Sequence, residues 1–169
     1  AASDVYKRQL LEFLISFTFF FCGMEFMAWF LHKYVMHGFL WVLHEDHHTP
    51  PKHRKWQLND TFAIIFIPPS MFGIYFGPEW SMPWLSGMGW GITAFGAVYF
   101  VVHEVIIHRR WKFFNAHGWY VDALKIAHQH HHRVSGKHGS SNFGMLVPPV
   151  RYFRYSKKEL NEMFRQEKV

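Results

Sequence analysis

The sequence predicts an all-α integral membrane bundle of three to four spans that carries a histidine-rich helical cap on its cytoplasmic side. Three observations predict it. Apolar residues collect in blocks at 10–31, 61–77 and 84–102 rather than spreading evenly. Groups of histidines adjoin the ends of these blocks. Of the 18 Lys and Arg residues, only Lys7 and Arg8 lie away from the histidine-bearing side, and an excess of cations marks the cytoplasmic face.

A chain of 169 residues is the size of one domain. The polar residues 1–9 do not continue the pattern that starts at Leu10 and read as a non-native or disordered leader, leaving 10–169 as a single unit. The net charge of +6 suits a membrane surface. Nucleic-acid binding is set aside, because membrane-length apolar blocks accompany no recognisable nucleic-acid module. Cys22 is the single cysteine, so no internal disulfide can form and the thiol reads as inert.

The first block, 10–31, is about 33 Å long as a helix, close to the hydrocarbon thickness of a bilayer. It lacks a small-residue cleavage site and runs through Glu25 and Trp29 toward His32, so it is expected to persist as a helix. Further helix carries His32 and His37 just beyond the bilayer edge. Residues 38–59 are polar and end in Pro50, Pro51 and the basic run 52–55, the pattern of an extramembrane segment. Block 61–77 contains Pro68 and Pro69 and is either a kinked span or a re-entrant segment. After a turn at Gly77, Pro78 and Pro83, block 84–102 has no charged residue, and Gly87, Gly89, Gly91 and Gly96 permit close helix approach. It runs on to His103, Glu104 and His108. A helix through Tyr120 and Ala127 leads into His128, and the basic tail from Arg151 is a candidate surface helix, with Ser156 and Glu159 as a capping box.

The chemistry lies in four histidine groups: His32 and His37; His44, His47 and His48; His103 and His108; His128, His131 and His132. With 14 histidines in the chain, H-x4-H arises by chance about once, but H-x2-HH only about 0.1 times. Two copies of H-x2-HH, each preceded by H-x4-H, therefore carry weight. On a helix the positions i, i+3 and i+4 share a face, so each triplet can supply imidazoles to adjacent metals. Five residues turn a side chain by about 140°, so His32 and His37 require a local distortion or address different metals. Imidazole alone does not select among iron, zinc and copper. Ten imidazoles are too many for one ion, whereas two ions with open positions for dioxygen point to iron in a redox role. The remaining histidines, His53, His117, His130 and His138, read as ordinary surface or core residues. Glu25, seven residues before His32, and Asp60 with its neighbour Asn59 are expected to orient metal-bound imidazoles, with Glu104 a further candidate.

Competing chemistries remain open on spacing alone. His44, Glu45 and His48 also match H-E-x-x-H, the zinc-hydrolase helix with glutamate as base, and suggest an intramembrane metalloprotease. The second copy has Gln129 in place of that glutamate, and a zinc site leaves the other histidines idle. A carboxylate-type di-iron bundle needs two Glu-x-x-His motifs, and only Glu45 with His48 fits. A metal store accounts for many histidines but not for their repeated order.

These residues resemble the bacterial beta-carotene 3-hydroxylases of the fatty acid hydroxylase superfamily. The resemblance rests on Glu25, Ala28 and Trp29, the block His32, Lys33, Tyr34, Val35, Met36, His37 and Gly38, then His44, His47, His48, Thr49 and Pro50. It continues through Leu58, Asn59 and Asp60, His103 and His108 with Arg110 and Trp111, the triplet ending at His132, and Asn142, Phe143 and Gly144. It spans roughly residues 24–147. The histidine pattern is shared with sterol and fatty-acyl hydroxylases and desaturases, while the block from His32 to Gly38 is more like the carotenoid branch. His130 is an addition to the pattern, and three apolar blocks stand where a fourth span is often inferred.

The resemblance implies two non-haem iron ions on the ten grouped histidines and dioxygen as co-substrate. The reaction it implies is hydroxylation at C3 of a beta-ionone ring, turning beta-carotene into zeaxanthin. The bilayer, a bacterial inner membrane, would deliver the apolar substrate. No dinucleotide fingerprint, flavin or haem motif is present, so electrons come from an external carrier, which the family implies is of ferredoxin type. Phe62, Phe66, Phe95 and Tyr99 are candidates to line an apolar channel.

Overall fold

A computed structural model describes residues 2–51, 56–154, 158, 159 and 162. The basic run 52–55 with His53, and Ser156 with its capping box, lie outside the described residues.

Helix α1 spans Ala2–Phe30 and passes without a break into a π-helical segment, Leu31–Phe39. The residues set apart as a leader are thus helical from Ala2 onward and extend α1 rather than forming a disordered arm. Nothing in 2–9 opposes this: the stretch contains neither Gly nor Pro, and Asp4 sits in the first turn, where a carboxylate meets the positive end of the helix dipole. The π segment closes at Gly38, whose backbone (φ −105°, ψ −126°) leaves the helical region and lets α2, Trp41–His48, start in a new direction.

A 3-10 turn, Leu58–Asp60, leads into α3, Thr61–Ile64, and α4, Ile67–Glu79. The second apolar block is therefore a kinked span rather than a re-entrant loop, and the kink falls just before Pro68 and Pro69. Proline is tolerated there because the first turn of α4 has no intrahelical acceptor for its N–H. Helix α5, Pro83–Phe100, follows a short turn and continues into a second π-helical segment, Val101–Ile107. Three stretches, Ser3–Phe39, Leu58–Glu79 and Pro83–Ile107, are long and apolar enough to cross a membrane. The protein is a membrane protein, and its faces toward lipid carry exposed Phe19, Met71 and Tyr75.

Glycines decide how the spans pack. A β-carbon at Gly91 would lie 2.6 Å from the Phe17 carbonyl oxygen of α1, and one at Gly89 would lie 2.6 Å from that of Ser70 in α4. Helix α5 thus meets α1 and α4 on opposite faces, with backbones close enough for dispersion contacts to hold them in lipid. Gly96, by contrast, faces open space. Successive contacts of α1 and α5 advance together, Phe17 beside Gly91 and then Phe21 beside Phe95, so these helices run parallel. Along α4 and α5 the order reverses, Gly73 beside Gly89 and Gly77 beside Ser86. This up-down-up course returns every histidine motif to one end of the bundle. There α6, Trp119–His131, and the short α7, Arg151–Arg154, complete the cap by packing Ala123 and Ala127 on Tyr152.

Candidate metal centre

At that end, imidazoles from both halves of the chain interlock in two nests. His32, His37, His44, His48 and His131 form the first, and His47, His108, His128 and His132 the second; within each nest the ligand-capable atoms lie within 4.8 Å of one another. Each i, i+3, i+4 triplet straddles both nests. Helix α2 gives His44 and His48 to the first and His47 to the second, while α6 gives His131 to the first and His128 and His132 to the second. The i, i+4 pair stacks on one side of its helix and the i+3 residue leans to the other side of the same face, so two facing helices suffice to brace both sites.

The H-x4-H pairs coincide with the two π-helical segments. In the second, the His108 N–H donates to the His103 carbonyl oxygen (2.9 Å), an i to i+5 bond that sets one residue of the pair above the other. In the first, the same distortion brings His32 and His37 into one nest, their ring centroids 5.3 Å apart. Of the two routes open to this spacing, the structure takes the distorted helix.

Seven of the ten grouped rings have their Nδ1 side held. His32 Nδ1 donates to the carbonyl oxygen of Phe143 (2.9 Å), His37 to Lys137 (2.9 Å), His48 to Val134 (3.0 Å) and His131 to Ser141 (2.9 Å). A backbone carbonyl can only accept, so these four rings carry their proton on Nδ1 and present a lone pair at Nε2. His44 Nδ1 and His47 Nδ1 meet the side-chain oxygens of Asn59 (2.6 Å) and Gln57 (2.8 Å), and His103 Nδ1 meets Glu104 (2.6 Å).

The lone pairs then converge. The Nε2 atoms of His37, His48 and His131 lie 3.1–3.2 Å apart, and His32 Nε2 stands 3.1 Å from His44 Nε2. With the protons fixed on Nδ1, no hydrogen bond joins these nitrogens, and their mutual repulsion is relieved by a cation between them. In the second nest His47 Nε2 and His132 Nε2 are buried without a hydrogen-bond partner among the described residues, a costly state for acceptors that a metal would satisfy. The donor set therefore fits two metal ions. Burial, reinforced by neighbouring imidazoles, lowers the basicity of the rings outside the spans: His44 falls to about 3, His131 and His132 to about 2, and His48 to about 4. Burial likewise pushes His47, His108 and His128 well below the usual imidazole value. All are neutral at pH 7, the form that binds a metal.

Nine of the ten predicted ligand histidines enter the nests. His103 packs beside the second, with ring centroids 4.7 Å from His47 and 4.5 Å from His108, but does not share its convergence. Among the residues expected to orient imidazoles, Asn59 does contact one. Asp60 and Glu25 do not, which corrects the sequence expectation. Asp60 binds Arg110 (2.7 Å), which also binds Glu104, so the carboxylate touching His103 is Glu104. Glu25 Oε1 accepts the backbone N–H groups of Met145, Leu146 and Val147 (2.8, 2.8 and 3.1 Å), because the chain after Phe143 crosses α1 at this level. Of the ordinary histidines, His130 is buried against Tyr152 away from both nests, while His117 and His138 are exposed.

Sequence reasoning missed Gln57 and the four carbonyls of 134–143. Gln57 stood one residue before the quoted Leu58, and the carbonyls left no side-chain signal. Asn142, the residue between Ser141 and Phe143, has a left-handed backbone (φ 61°) that Asn tolerates, so successive carbonyls there serve two different imidazoles. Glu45, the base required by the zinc-hydrolase reading, is exposed, whereas His44 and His48 are buried.

A cleft of about 610 Å³ opens beside the second nest. Phe21, Phe26 and Trp29 of α1, Phe95 of α5 and Leu124 of α6 form its walls, and His128 lines its inner end. Of the channel aromatics expected from sequence, Phe95 lines this cleft. Tyr99 packs between Phe95 and His103, and Phe66 packs against the Met24, Ile92 and Phe95 core, while Phe62 is buried.

The fatty acid hydroxylase family model matches residues 17–151. The chain is 41% identical to a beta-carotene hydroxylase of Pantoea ananas over 130 residues, 75% of this chain and 72% of that one. It is 40% identical to a beta-carotene hydroxylase of Pseudescherichia vulneris (73% and 70% covered) and 33% identical to one of a Paracoccus species (75% and 79%). No solved structure is significantly similar to the chain. The interlocked histidine nests, the three spans and these relatives agree: the chain belongs to the fatty acid hydroxylase family.

Proposed function

We propose that this protein is a di-iron monooxygenase that hydroxylates C3 of the beta-ionone ring of a carotenoid, taking beta-carotene to zeaxanthin. The observation that carries the metal half of this reading is the convergence of Nε2 lone pairs on rings whose Nδ1 protons are committed to carbonyls. The beta-carotene hydroxylases among its relatives support the substrate half. A pair of irons held there supplies the redox chemistry that activates dioxygen and oxidises an otherwise inert C–H bond.

The chain's own residues do the remainder. His32, His37, His44, His48 and His131 would hold one ion, and His47, His108, His128 and His132 the other, with His103 beside it. Asn59, Gln57 and the carbonyls of the 134–143 segment fix ring orientation and tautomer for six of these imidazoles, so none of those six has to turn or lose a proton when metal enters. The aromatic walls of the cleft exclude water and hold an apolar ring end-on toward His128, with the bilayer as its source. Electrons would arrive from a ferredoxin-type donor on the histidine face. That face would be cytoplasmic in a bacterial inner membrane, as its basic residues suggest.

Expression in a host that accumulates beta-carotene tests the reading, with pigments separated and metal measured in the purified protein. Zeaxanthin together with about two irons per chain is the expected result. A folded, iron-loaded protein that leaves the pigment unchanged overturns the substrate, and one stoichiometric zinc overturns the metal.

A further inference from the structure

Glu25 lines the cleft, and the metal centre leaves its chemistry unexplained. It sits near the inner end of a membrane-spanning helix, where a carboxyl group is expensive to keep. Its Oε1 is fully used, accepting three consecutive backbone N–H groups. Its Oε2 is buried and has no hydrogen-bond partner among the described residues. The same residue lines the cleft together with Phe21, Phe26, Trp29, Phe95 and Leu124, none of which offers a carboxylate, and His128 lines it too. An acceptor held rigid by three amides, with its second oxygen buried and unsatisfied on a residue that borders an apolar cleft, is suited to a ligand that is apolar except for one hydroxyl donor reaching that oxygen.

We infer that Glu25 Oε2 recognises the hydroxyl of an oxygenated ring, so that the cleft binds the hydroxylated ring in preference to the hydrocarbon ring. This rests on the carotenoid reading and deepens it. The substrate ring has no donor to offer, while the product ring carries one hydroxyl. An O–H to carboxylate bond formed away from water is among the stronger neutral-to-ion hydrogen bonds. The cleft thus retains the hydroxylated end, and release of that end becomes a step the protein controls through one side chain.

The test is binding of two soluble ring probes, beta-ionone and 3-hydroxy-beta-ionone, to the purified full chain in detergent, measured by equilibrium dialysis. Wild type is expected to prefer the hydroxylated probe by at least roughly tenfold. Glu25→Gln keeps an oxygen for the three amides but replaces the other with a donor; it should lose that preference while binding beta-ionone as before. Glu25→Ala, which also releases the 145–147 segment, should weaken both probes. Equal affinity of wild type for the two probes, or an unchanged preference in Glu25→Gln, overturns the assignment. Failure of wild type to bind either ring overturns the carotenoid reading itself, and this inference with it.

Discussion

The two histidine nests share ligand chemistry but differ in what holds them. In the first, all five rings are buried and four Nδ1 protons go to backbone carbonyls of the segment between Val134 and Phe143. In the second, His108 and His132 are only partly covered, and orientation comes from side chains: Gln57 on His47, and Glu104, itself bound by Arg110, on the adjacent His103. A backbone carbonyl cannot be removed by substitution and responds only when the whole segment shifts. A side-chain acceptor can be retuned one residue at a time. The first nest is therefore fixed by the fold at four of its five rings, only His44 being held by a side chain, Asn59, whereas the second is adjustable and borders the cleft.

The largest expected effects come from the ligands. His131→Ala and His132→Ala, adjacent in sequence but assigned to different nests, should each abolish hydroxylation and each lower metal content by about one ion of two. Metal analysis of the purified variants checks this. If both variants lose the same ion by spectroscopic signature, the partition into two nests is wrong.

Next come the side-chain holders. Glu104→Gln and Gln57→Ala should weaken metal binding at the second nest by roughly 10- to 100-fold and leave the first intact, whereas Asn59→Ala should weaken the first. Competition with a chelator, followed ion by ion, measures the difference, and a uniform loss at both nests would break the comparison.

Acidity provides a third test. His44, His48, His131 and His132 have folded values of about 3, 4, 2 and 2 against 6.5 when solvated. Above pH 6.5 neither the folded nor the unfolded chain binds a proton at these rings, and they place no pH dependence on stability. Below it the unfolded chain takes up protons that the folded chain refuses, so the metal-free protein should lose stability as pH falls from about 6.5 toward 4. Each such group contributes up to ~1.4 kcal/mol per pH unit. Thermal unfolding in detergent checks the slope, and a stability flat across that window would contradict the neutral tautomers assigned here.

The smallest effect belongs to Glu45. Because it is exposed, Glu45→Gln should change hydroxylation by less than about twofold, as measured by pigment conversion. A total loss would revive a hydrolase-type role for that glutamate.

Much of this architecture is legible in the sequence. The three apolar blocks mark the spans because a helix satisfies its own backbone groups in lipid, and three glycines of the third block, Gly87, Gly89 and Gly91, mark where helices touch, while Gly96 does not. The misreadings have a common source. Glu25 and Asp60 were expected to touch imidazoles because they are carboxylates near histidines in sequence, but a carboxylate binds whatever donor the fold brings closest. For Glu25 that donor is the backbone of 145–147, more than a hundred residues away, and for Asp60 it is Arg110. The leader at 2–9 was set apart by composition, yet local helix propensity is enough to continue α1 through it.

By itself, the sequence determined the helical membrane class, the end of the bundle at which the histidines gather and a set of ten, nine of which enter the nests. Each of these follows from periodicity and composition within short windows. Only the tertiary structure decided how those imidazoles divide into two nests, that the five-residue spacing is met by π-helical segments, and that carbonyls from the 134–143 segment set the tautomers. Those outcomes depend on pairs such as His32 with Phe143 and His37 with Lys137, and backbone acceptors brought together over such separations leave no mark on residue type.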